Sequence, residues 1–214
     1  MFLTYTEFFK EGWNEIHSVY VRQILVFFKN MILSINTSRT TIKMEDFTIL
    51  NQLGEDGKDG IVSLVKFPNG LQAAMKQYKK TKSTKMIQKE VGFQRQAAEA
   101  GIAPEIMHVD LPNRRIFMEV MSARVVDELD ESDEKFEREL LSIMEKLDEI
   151  GILHNDGNAL NLMFDDDDNL KILDFGLSKK ITSTIRRKWD NAPNMKVTYF
   201  MLKKGLKKYG ISVQ

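Results

Sequence analysis

Several absences limit what this chain can be. It contains no cysteine and only three histidines, which excludes disulfides, thiolate zinc sites and cysteine nucleophiles. So few histidines also give no basis for a histidine metal cluster. Because no disulfide is possible, we expect an intracellular protein, cytoplasmic or nuclear. Candidate chemistry therefore rests on Asp, Glu, Asn and Lys side chains.

Net charge is absent too, yet the charges are unevenly distributed. The 31 basic and 31 acidic side chains cancel. From Leu177 to Gln214, however, ten basic residues accompany one acid, so this C-terminal tail carries +9 and the first 176 residues carry −9. Such a tail predicts an acidic partner or RNA, or contact with the acidic remainder of its own chain. The charge pattern leaves both interpretations open.

Long uninterrupted apolar runs are also missing. Apolar residues recur at steps of three and four in the N-terminal segment, which predicts an amphipathic helix. Its most apolar stretch, residues 19–35, is broken by polar residues, so we expect no membrane span. The helix could dock on the rest of the chain, bind a partner or lie at a membrane surface. We expect residues 1–43 to be this helix with a polar linker, followed by a domain at 44–214. Met44 is an alternative start.

The remaining chain predicts a β-rich first part and a helical second part. An Asn69-Gly70 turn between apolar runs predicts a β-hairpin, and Thr84–Ala100 predicts a helix ended by Gly101. A helix is expected after the acidic stretch 127–134, and a basic one around 197–209. Strands are expected within 47–67 and at 71–78, 106–110, 115–121, 150–153, 162–164 and 170–173. This order predicts an α+β fold class.

The most specific motif is a loop followed by a short hairpin. His154, Asp156 and Asn161 form the pattern H-x-D-x-x-x-x-N, and Asp174-Phe175-Gly176 begins thirteen residues later. Phosphoryl transfer needs a carboxylate beside the acceptor hydroxyl and oxygen ligands that hold Mg²⁺ against the phosphates. The loop offers Asp156 and Asn161, and the hairpin can return Asp174 to the same ion.

This order and spacing resembles the catalytic loop and D-F-G motif of the protein-kinase superfamily. The resemblance implies a two-lobed fold, with a β-rich N-lobe at 44–121 and a truncated, mostly helical C-lobe at 122–214. It implies ATP and Mg²⁺ as cofactors, Asp156 as a catalytic residue at the acceptor hydroxyl, and Asn161 and Asp174 as metal ligands. His154 resembles the superfamily's structural histidine.

Upstream residues resemble further parts of the superfamily in the same order. Residues 53–62 resemble the glycine-rich phosphate loop, with one residue more than G-x-G-x-x-G. Carboxylates are unfavourable beside phosphates because like charges repel, so we expect Asp56 and Asp59 to point to solvent. In this segment the resemblance assigns nucleotide binding to Leu53, Gly54, Gly57, Gly60 and Val62.

The third strand and the following helix resemble the rest of a nucleotide site. Ala74-Met75-Lys76 resembles the A-x-K strand, in which Lys76 binds the α- and β-phosphates and Glu90 pairs with it. Both are assigned to the catalytic set. Met118 resembles the gatekeeper, and the backbones of Glu119 and Met121 would bind adenine. The base would lie between apolar side chains, which simple core packing also explains: Leu53, Val62, Ala74 and Met163.

The short segment after the D-F-G motif favours one branch of the superfamily. Only 38 residues follow Gly176, which is too few for the usual helical platform. Together with Gly101-Ile102-x-Pro104, this resembles the minimal atypical kinases, namely the RIO group and the small kinase of the KEOPS tRNA-modification complex. We therefore expect an atypical Ser/Thr protein kinase that autophosphorylates, acting on a protein acceptor that the sequence does not name.

Two other functions share the same loop. One is a partner-dependent ATPase in a complex of the tRNA-modification type. The other is a small-molecule kinase of the aminoglycoside or choline kinase type, which normally needs a larger acceptor pocket. In each case the N-terminal helix is a candidate partner-binding element, and the basic tail is a candidate site for an acidic partner or RNA, outside the chemistry.

Overall fold

A computed structural model describes residues 46–213, and the predicted N-terminal helix lies outside the described residues. Five strands come from the first part of the chain: β1 (Thr48–Gln52), β2 (Gly60–Lys66), β3 (Gln72–Tyr78), β4 (Ile106–Asp110) and β5 (Arg115–Met118). They form one antiparallel sheet in the order β1-β2-β3-β5-β4. The predicted β-rich N-lobe is confirmed.

The β2–β3 hairpin turns at the predicted Asn69-Gly70 pair. Gly70 has φ +88°, a conformation open to glycine at little cost. The Asn69 carboxamide oxygen accepts a hydrogen bond from the Leu71 N–H at 3.0 Å. Because side chains alternate along a strand, Ala74, Lys76 and Tyr78 lie on one face of β3. This face packs toward the helix that follows, which carries Glu90.

Helix α1 (Thr84–Glu99) has a hydrogen-bonded cap at its start and is ended by the predicted Gly101. The Ser83 hydroxyl accepts from the Met86 N–H at 3.3 Å as the N-cap, and the Gly101 N–H donates to the Ala98 carbonyl at 2.8 Å where the helix ends. Its buried residues are Ile87, Glu90, Val91, Gln94 and Ala97. Glu90 is thus a carboxylate on the apolar face, and such a residue needs a charged or hydrogen-bonding partner.

The second part of the chain is mainly helical. It contains β6 (Ala123–Arg124), α2 (Val125–Glu128), α3 (Glu134–Glu149), β7 (Ile152–Leu153), β8 (Leu162–Phe164), β9 (Leu170–Ile172), β10 (Lys179–Lys180), α4 (Ser183–Lys188), a π-helical turn (Met195–Tyr199) and α5 (Phe200–Lys207). Strands β6, β8 and β9 form a small antiparallel sheet, and β7 pairs with β10. Phe136, Leu140, Met144 and Leu147 of α3 are buried, as predicted.

Two hydrophobic clusters correspond to the two parts. One contains Ala74, Ile87 and Met118 from the sheet and α1, and the larger surrounds α3 and includes Leu202 and Leu206 of α5. A backbone hydrogen bond from the Ile172 N–H to the Ile102 carbonyl, at 2.9 Å, joins β9 to the segment that follows α1. The two-lobed α+β fold is confirmed.

Some boundaries differ from those expected. Strand β5 ends at Met118 rather than at residue 121, and the Glu119 N–H donates to the Glu105 carbonyl instead. Helix α4 was not predicted because its six residues include none that is buried, so no apolar periodicity marks it. Across residues 46–213, no helix combines the length and apolar character needed to cross a bilayer.

Candidate active site

A buried ion pair joins β3 to α1. The Lys76 ammonium lies 2.8 Å from Glu90 Oε1 and 3.1 Å from Asp174 Oδ1. Burial alone would lower the pKa of Lys76, but the carboxylates of Asp174 and Glu90 raise it above its ordinary value. The same lysine helps to hold the pKa of Asp174 below its ordinary value, against the effect of burial. Lys76 and Asp174 therefore remain charged at neutral pH.

A second buried lysine, which the sequence did not distinguish, enters the same cluster. Lys82 donates to Glu90 Oε2 and to Asp59 Oδ2, the latter at 2.6 Å. The Tyr78 hydroxyl donates to Glu90 Oε1 at 2.8 Å, and burial, followed by the Glu90 charge, raises the pKa of this phenol. Glu90 thus accepts hydrogen bonds from two lysines and a tyrosine.

The 154–161 loop orients Asp156 toward Asn161. Asn161 Nδ2 donates to Asp156 Oδ2 at 3.0 Å, and the Asn158 N–H donates to Asp156 Oδ1 at 3.1 Å. Asn155 has φ +64°, a left-handed conformation that asparagine tolerates better than most residues. Both carboxylate oxygens of Asp156 are therefore held in place.

His154 links this loop to the D-F-G segment. Its ring nitrogens contact the Leu173 carbonyl at 3.0 Å and the Asp156 carbonyl at 3.2 Å. Its ring packs edge-on against Phe175, with centroids 4.9 Å apart. Burial lowers the pKa of His154, which favours a neutral, structural imidazole. This placement agrees with the supporting role implied by the resemblance.

The D-F-G segment turns sharply at Asp174. Asp174 has φ +61°, and its Oδ1 accepts from the Gly176 N–H at 3.1 Å. The preceding Leu173 N–H donates to the Asn161 carbonyl at 2.8 Å. These bonds bring Asp174 beside the predicted metal ligand Asn161 and, through its ion pair, beside Lys76.

A buried asparagine after the D-F-G segment, Asn194, supports the 154–161 loop through hydrogen bonds. Asn194 Oδ1 accepts from the His154 N–H at 3.1 Å, and Asn194 Nδ2 donates to Asp148 Oδ1 at 2.6 Å and to the Ile152 carbonyl at 2.7 Å. Thr198 donates to Asn194 Oδ1 and accepts from the Asn155 N–H. Sequence reasoning missed this network, since no local pattern marks Asn194.

The C-terminal tail also touches the loop directly. A Cβ added at Gly205 of α5 would lie 2.7 Å from the Gly157 carbonyl oxygen, and one at Gly157 would lie 2.0 Å from Met201 Cβ. Both contacts are too close for any side chain, so helix and loop meet backbone to backbone. Part of the tail is therefore a structural support of the site.

The proposed adenine-contacting residues fall into two groups. Ala74 and Met118 are buried neighbours on β3 and β5, and Leu53 and Val62 pack against their cluster. Met163 lies half-buried in β8 and belongs to neither hydrophobic cluster of residues 46–213. Adenine is expected to bind the backbone that follows Met118. Among the described residues, no hydrogen bond uses the Met121 N–H or the Glu119 carbonyl.

The predicted glycine loop contains one glycine that the sheet itself requires. Gly54 has φ +80°, and the Gly57 N–H donates to the Gly60 carbonyl at 3.1 Å. A Cβ at Gly60 would lie 2.2 Å from the Gln77 carbonyl oxygen, so this glycine is required by the β2–β3 contact.

The two loop aspartates behave differently. Asp56 is 57% exposed at its side chain and pairs with Lys79 at 2.9 Å, in agreement with the prediction. The prediction that Asp59 points to solvent is wrong, because its carboxylate bonds the buried Lys82 ammonium. The ammonium offers a stronger partner than water in this partly buried position.

Comparison with known proteins connects this geometry to a family. A protein kinase domain model matches residues 47–200. A 77-residue segment is 36% identical to the probable bifunctional tRNA threonylcarbamoyladenosine biosynthesis protein of Methanocaldococcus jannaschii, covering 36% of this chain and 14% of that protein. A 51-residue segment is 43% identical to the hormonally up-regulated neu tumor-associated kinase of mouse and of human, covering 23% of this chain and 7% of those proteins.

The chain thus spans only a small part of the length of these curated relatives. The kinase model, in contrast, covers well over half of the chain and includes the glycine loop at 53–62, Lys76, Glu90, Asp156 and the D-F-G segment. The resemblance to the protein-kinase superfamily is confirmed. This chain belongs to the protein kinase domain family.

Proposed function

We propose that this chain is an atypical Ser/Thr protein kinase that transfers the γ-phosphoryl group of ATP, with Mg²⁺, to hydroxyl groups including its own. One observation carries the proposal. The ion pair of Lys76 with Glu90 also reaches Asp174, which in turn adjoins the loop holding Asp156 and Asn161. Phosphoryl transfer depends mainly on positioning and charge, and this cluster supplies both. We take residues 44–214 as the kinase domain.

The donor set fits a magnesium ion that arrives with phosphates. Among residues 46–213, no group of three His, Cys, Asp or Glu side chains could hold a metal. Mg²⁺ is commonly held by one or two carboxylates plus substrate phosphates. Asp174 supplies a charged carboxylate. The Asn161 side chain uses its nitrogen to donate to Asp156, so its amide oxygen is left to ligate the metal ion. When bound, the ion would neutralise charge on the phosphates.

The chain's own residues would divide the remaining work. Lys76, held by Glu90, would donate to phosphate oxygens. Asp156, fixed through both carboxylate oxygens, would orient the acceptor hydroxyl and accept its proton. The Glu119 carbonyl and the Met121 N–H would bind the adenine edge, against the apolar surface that includes Ala74 and Met118.

Labelled ATP tests this proposal on the purified 214-residue chain. We expect Mg²⁺-dependent label on Ser or Thr of the chain itself, which phosphoamino-acid analysis identifies. The assay also measures transfer to added proteins and release of free phosphate. If label appears nowhere and no phosphate is released in a folded sample, the phosphotransferase proposal is wrong.

A partner-dependent ATPase is the second candidate. It is favoured by the match to a tRNA threonylcarbamoyladenosine biosynthesis protein. The same cluster would then transfer the phosphoryl group to water. Phosphate release without labelled protein, increased by a partner from lysate, would favour this candidate over the kinase.

The basic tail supports a proposal about partners. Lys204 and Lys207 on α5 and Lys208 directly after it are exposed, whereas Leu202 and Leu206 are buried in the core. We propose that this face binds RNA, a choice consistent with the tRNA-related match, or otherwise an acidic protein. Since released counterions drive such binding, RNA affinity should fall steeply with salt. No RNA binding at low salt would exclude the RNA version.

A further inference from the structure

The cluster beside the D-F-G segment contains one lysine more than the proposed mechanism uses. Lys82 is 3% exposed, which is unusual for a lysine unless it is paired. Its ammonium contacts Glu90 Oε2 and Asp59 Oδ2 and lies 5.3 Å from the centre of the Tyr78 ring. The ion pair with Glu90 is enough to explain why Lys82 is buried. It does not explain why the glycine loop places a second carboxylate, that of Asp59, against the same ammonium group.

Lys82 and Asp59 meet at the metal-binding end of the proposed site. A Cβ built on Gly176 would lie 3.0 Å from Asp174 Oδ1, 3.1 Å from Lys82 Nζ and 3.2 Å from Asp59 Oδ2. All three groups therefore surround one point at the D-F-G glycine. Asp174 Oδ1 is also the atom that Lys76 contacts, so both buried ammonium groups reach the same small region.

The charges of this region do not balance. Lys76 and Lys82 contribute two positive charges, whereas Glu90, Asp174 and Asp59 contribute three negative ones. Asp59 is the third carboxylate, and it comes from the loop between β1 and β2. Its side chain is 34% exposed, compared with 2% for Glu90. Asp174 is more exposed, at 42%, but its Oδ1 also accepts hydrogen bonds from the Gly176 N–H and the Lys76 ammonium. Asp59, whose Oδ2 contacts Lys82, is therefore the carboxylate that can rotate out of the cluster most easily.

An ammonium group binds carboxylate and phosphate oxygens in the same way, through a short charge-assisted hydrogen bond. The 2.6 Å contact of Asp59 with Lys82 is of this kind. A phosphate that binds beside Lys76 and Asp174 would be repelled by the Asp59 carboxylate, which carries the same sign of charge. That carboxylate also occupies the Lys82 ammonium, which the phosphate could otherwise contact. Rotation of the Asp59 side chain toward solvent would free that lysine.

We propose that Lys82 is a second phosphate-binding lysine and that Asp59 occupies it until a nucleotide phosphate displaces the carboxylate. The inference rests on the proposed ATP-binding function and deepens it. Asp59 then acts as a built-in competitor that weakens nucleotide binding, and Lys82 contributes to recognition of phosphates and not of the base.

Calorimetric titration of the full chain with ATP and, separately, with adenosine tests the inference. D59N removes the competing charge, so we expect ATP affinity to rise roughly tenfold, with adenosine affinity unchanged. D56N is the matched control, because it makes the same chemical change in the same loop at the exposed pair with Lys79. We expect it to alter ATP affinity by less than about twofold.

Substitutions of Lys82 give the opposite result. K82Q should weaken ATP binding by roughly tenfold or more while sparing adenosine, and K82R, which keeps the charge, should retain most of the affinity. Melting curves identify a K82Q sample that fails to fold. In that event, D59N and K82R decide the question.

The outcomes separate the two proposals. If wild-type chain binds neither ATP nor adenosine, the proposed function itself fails. If the wild type binds ATP but D59N leaves the affinity unchanged or lowers it, Asp59 is not a competitor and the inference is overturned. Equal changes for ATP and adenosine would also overturn it, because they would indicate a general effect on loop shape.

Discussion

Replacement of Glu90 by glutamine tests the buried charge cluster most severely. The carboxylate lies between two lysines, with Oε1 2.8 Å from Lys76 Nζ and Oε2 bonded to Lys82. At 2% exposure, solvent cannot replace the lost charge. Removing one partner of a buried ion pair costs about 3–5 kcal/mol. Each lysine keeps one further carboxylate, Asp174 or Asp59, so we expect the lower end, about 3 kcal/mol.

Thermal and denaturant unfolding measure this effect. A loss of about 3 kcal/mol in a chain of this size corresponds to a fall in Tm of about 6–12 °C. Because Asp174 and Glu90 raise the pKa of Lys76 above 10.5, the stabilisation is present through neutral pH and is lost only as pH rises through that raised value. Comparison at neutral pH is therefore appropriate.

Glu134→Gln provides the control for the Glu90 substitution. Glu134 makes an exposed ion pair with Arg138 at 3.4 Å, and its side chain is 96% exposed. Exposed pairs contribute little to stability, so this variant should melt almost as the wild type does. If Glu90→Gln also melts like the wild type, the account of a charged cluster fixed around Glu90 fails.

Three further predictions concern the contacts that support the 154–161 loop. Asn194→Ala should lower the free energy of unfolding by about 3 kcal/mol or more, because it leaves several buried polar groups without partners. Equilibrium denaturation measures this loss, and a loss below about 1 kcal/mol would argue against the hydrogen-bond network. Gly205→Ala would place a Cβ 2.7 Å from the Gly157 carbonyl, so unfolding experiments should show a loss of about 1–3 kcal/mol, and unchanged stability would exclude that backbone contact. Burial lowers the pKa of His154 below 6.5, so the free energy of unfolding should fall as pH decreases from about 6.5, by up to about 1.4 kcal/mol per pH unit. His154→Gln should reduce the slope of the free energy of unfolding against pH between pH 7.5 and 5. An identical slope would contradict the buried neutral ring.

The sequence predicted those parts of the site that local patterns determine. The resemblance to the A-x-K strand and the helix that follows it identified Lys76 and Glu90 as candidates, and the structure pairs them. The spacing between Asn161 and Asp174 matches a hairpin, and the two residues lie at its ends. These features depend on chain geometry over a few residues, which alternation and helical repeat describe well.

Long-range contacts could not be predicted in this way. Lys79, Lys80 and Lys82 are equivalent in a polar turn, and only the folded position of Glu90 selects Lys82 for burial. Asn194 lies 40 residues from His154, beside a π-helical turn without apolar periodicity. Where a polar side chain finds its buried partner depends on tertiary packing, which a propensity or a period does not encode.

In the proposed function, Asp174 holds the metal-nucleotide and Asp156 acts on the acceptor hydroxyl. Calorimetric titration of folded Asp174→Ala and Asp156→Ala variants with Mg²⁺ and ATP, alongside phosphoryl transfer, tests both roles directly. Both variants should lose transfer. Asp174→Ala should also lose at least about tenfold, or about 1.4 kcal/mol, of Mg²⁺-dependent ATP affinity, whereas Asp156→Ala should bind ATP nearly as the wild type does. Full transfer by either variant, or loss of ATP binding in Asp156→Ala alone, would contradict the account.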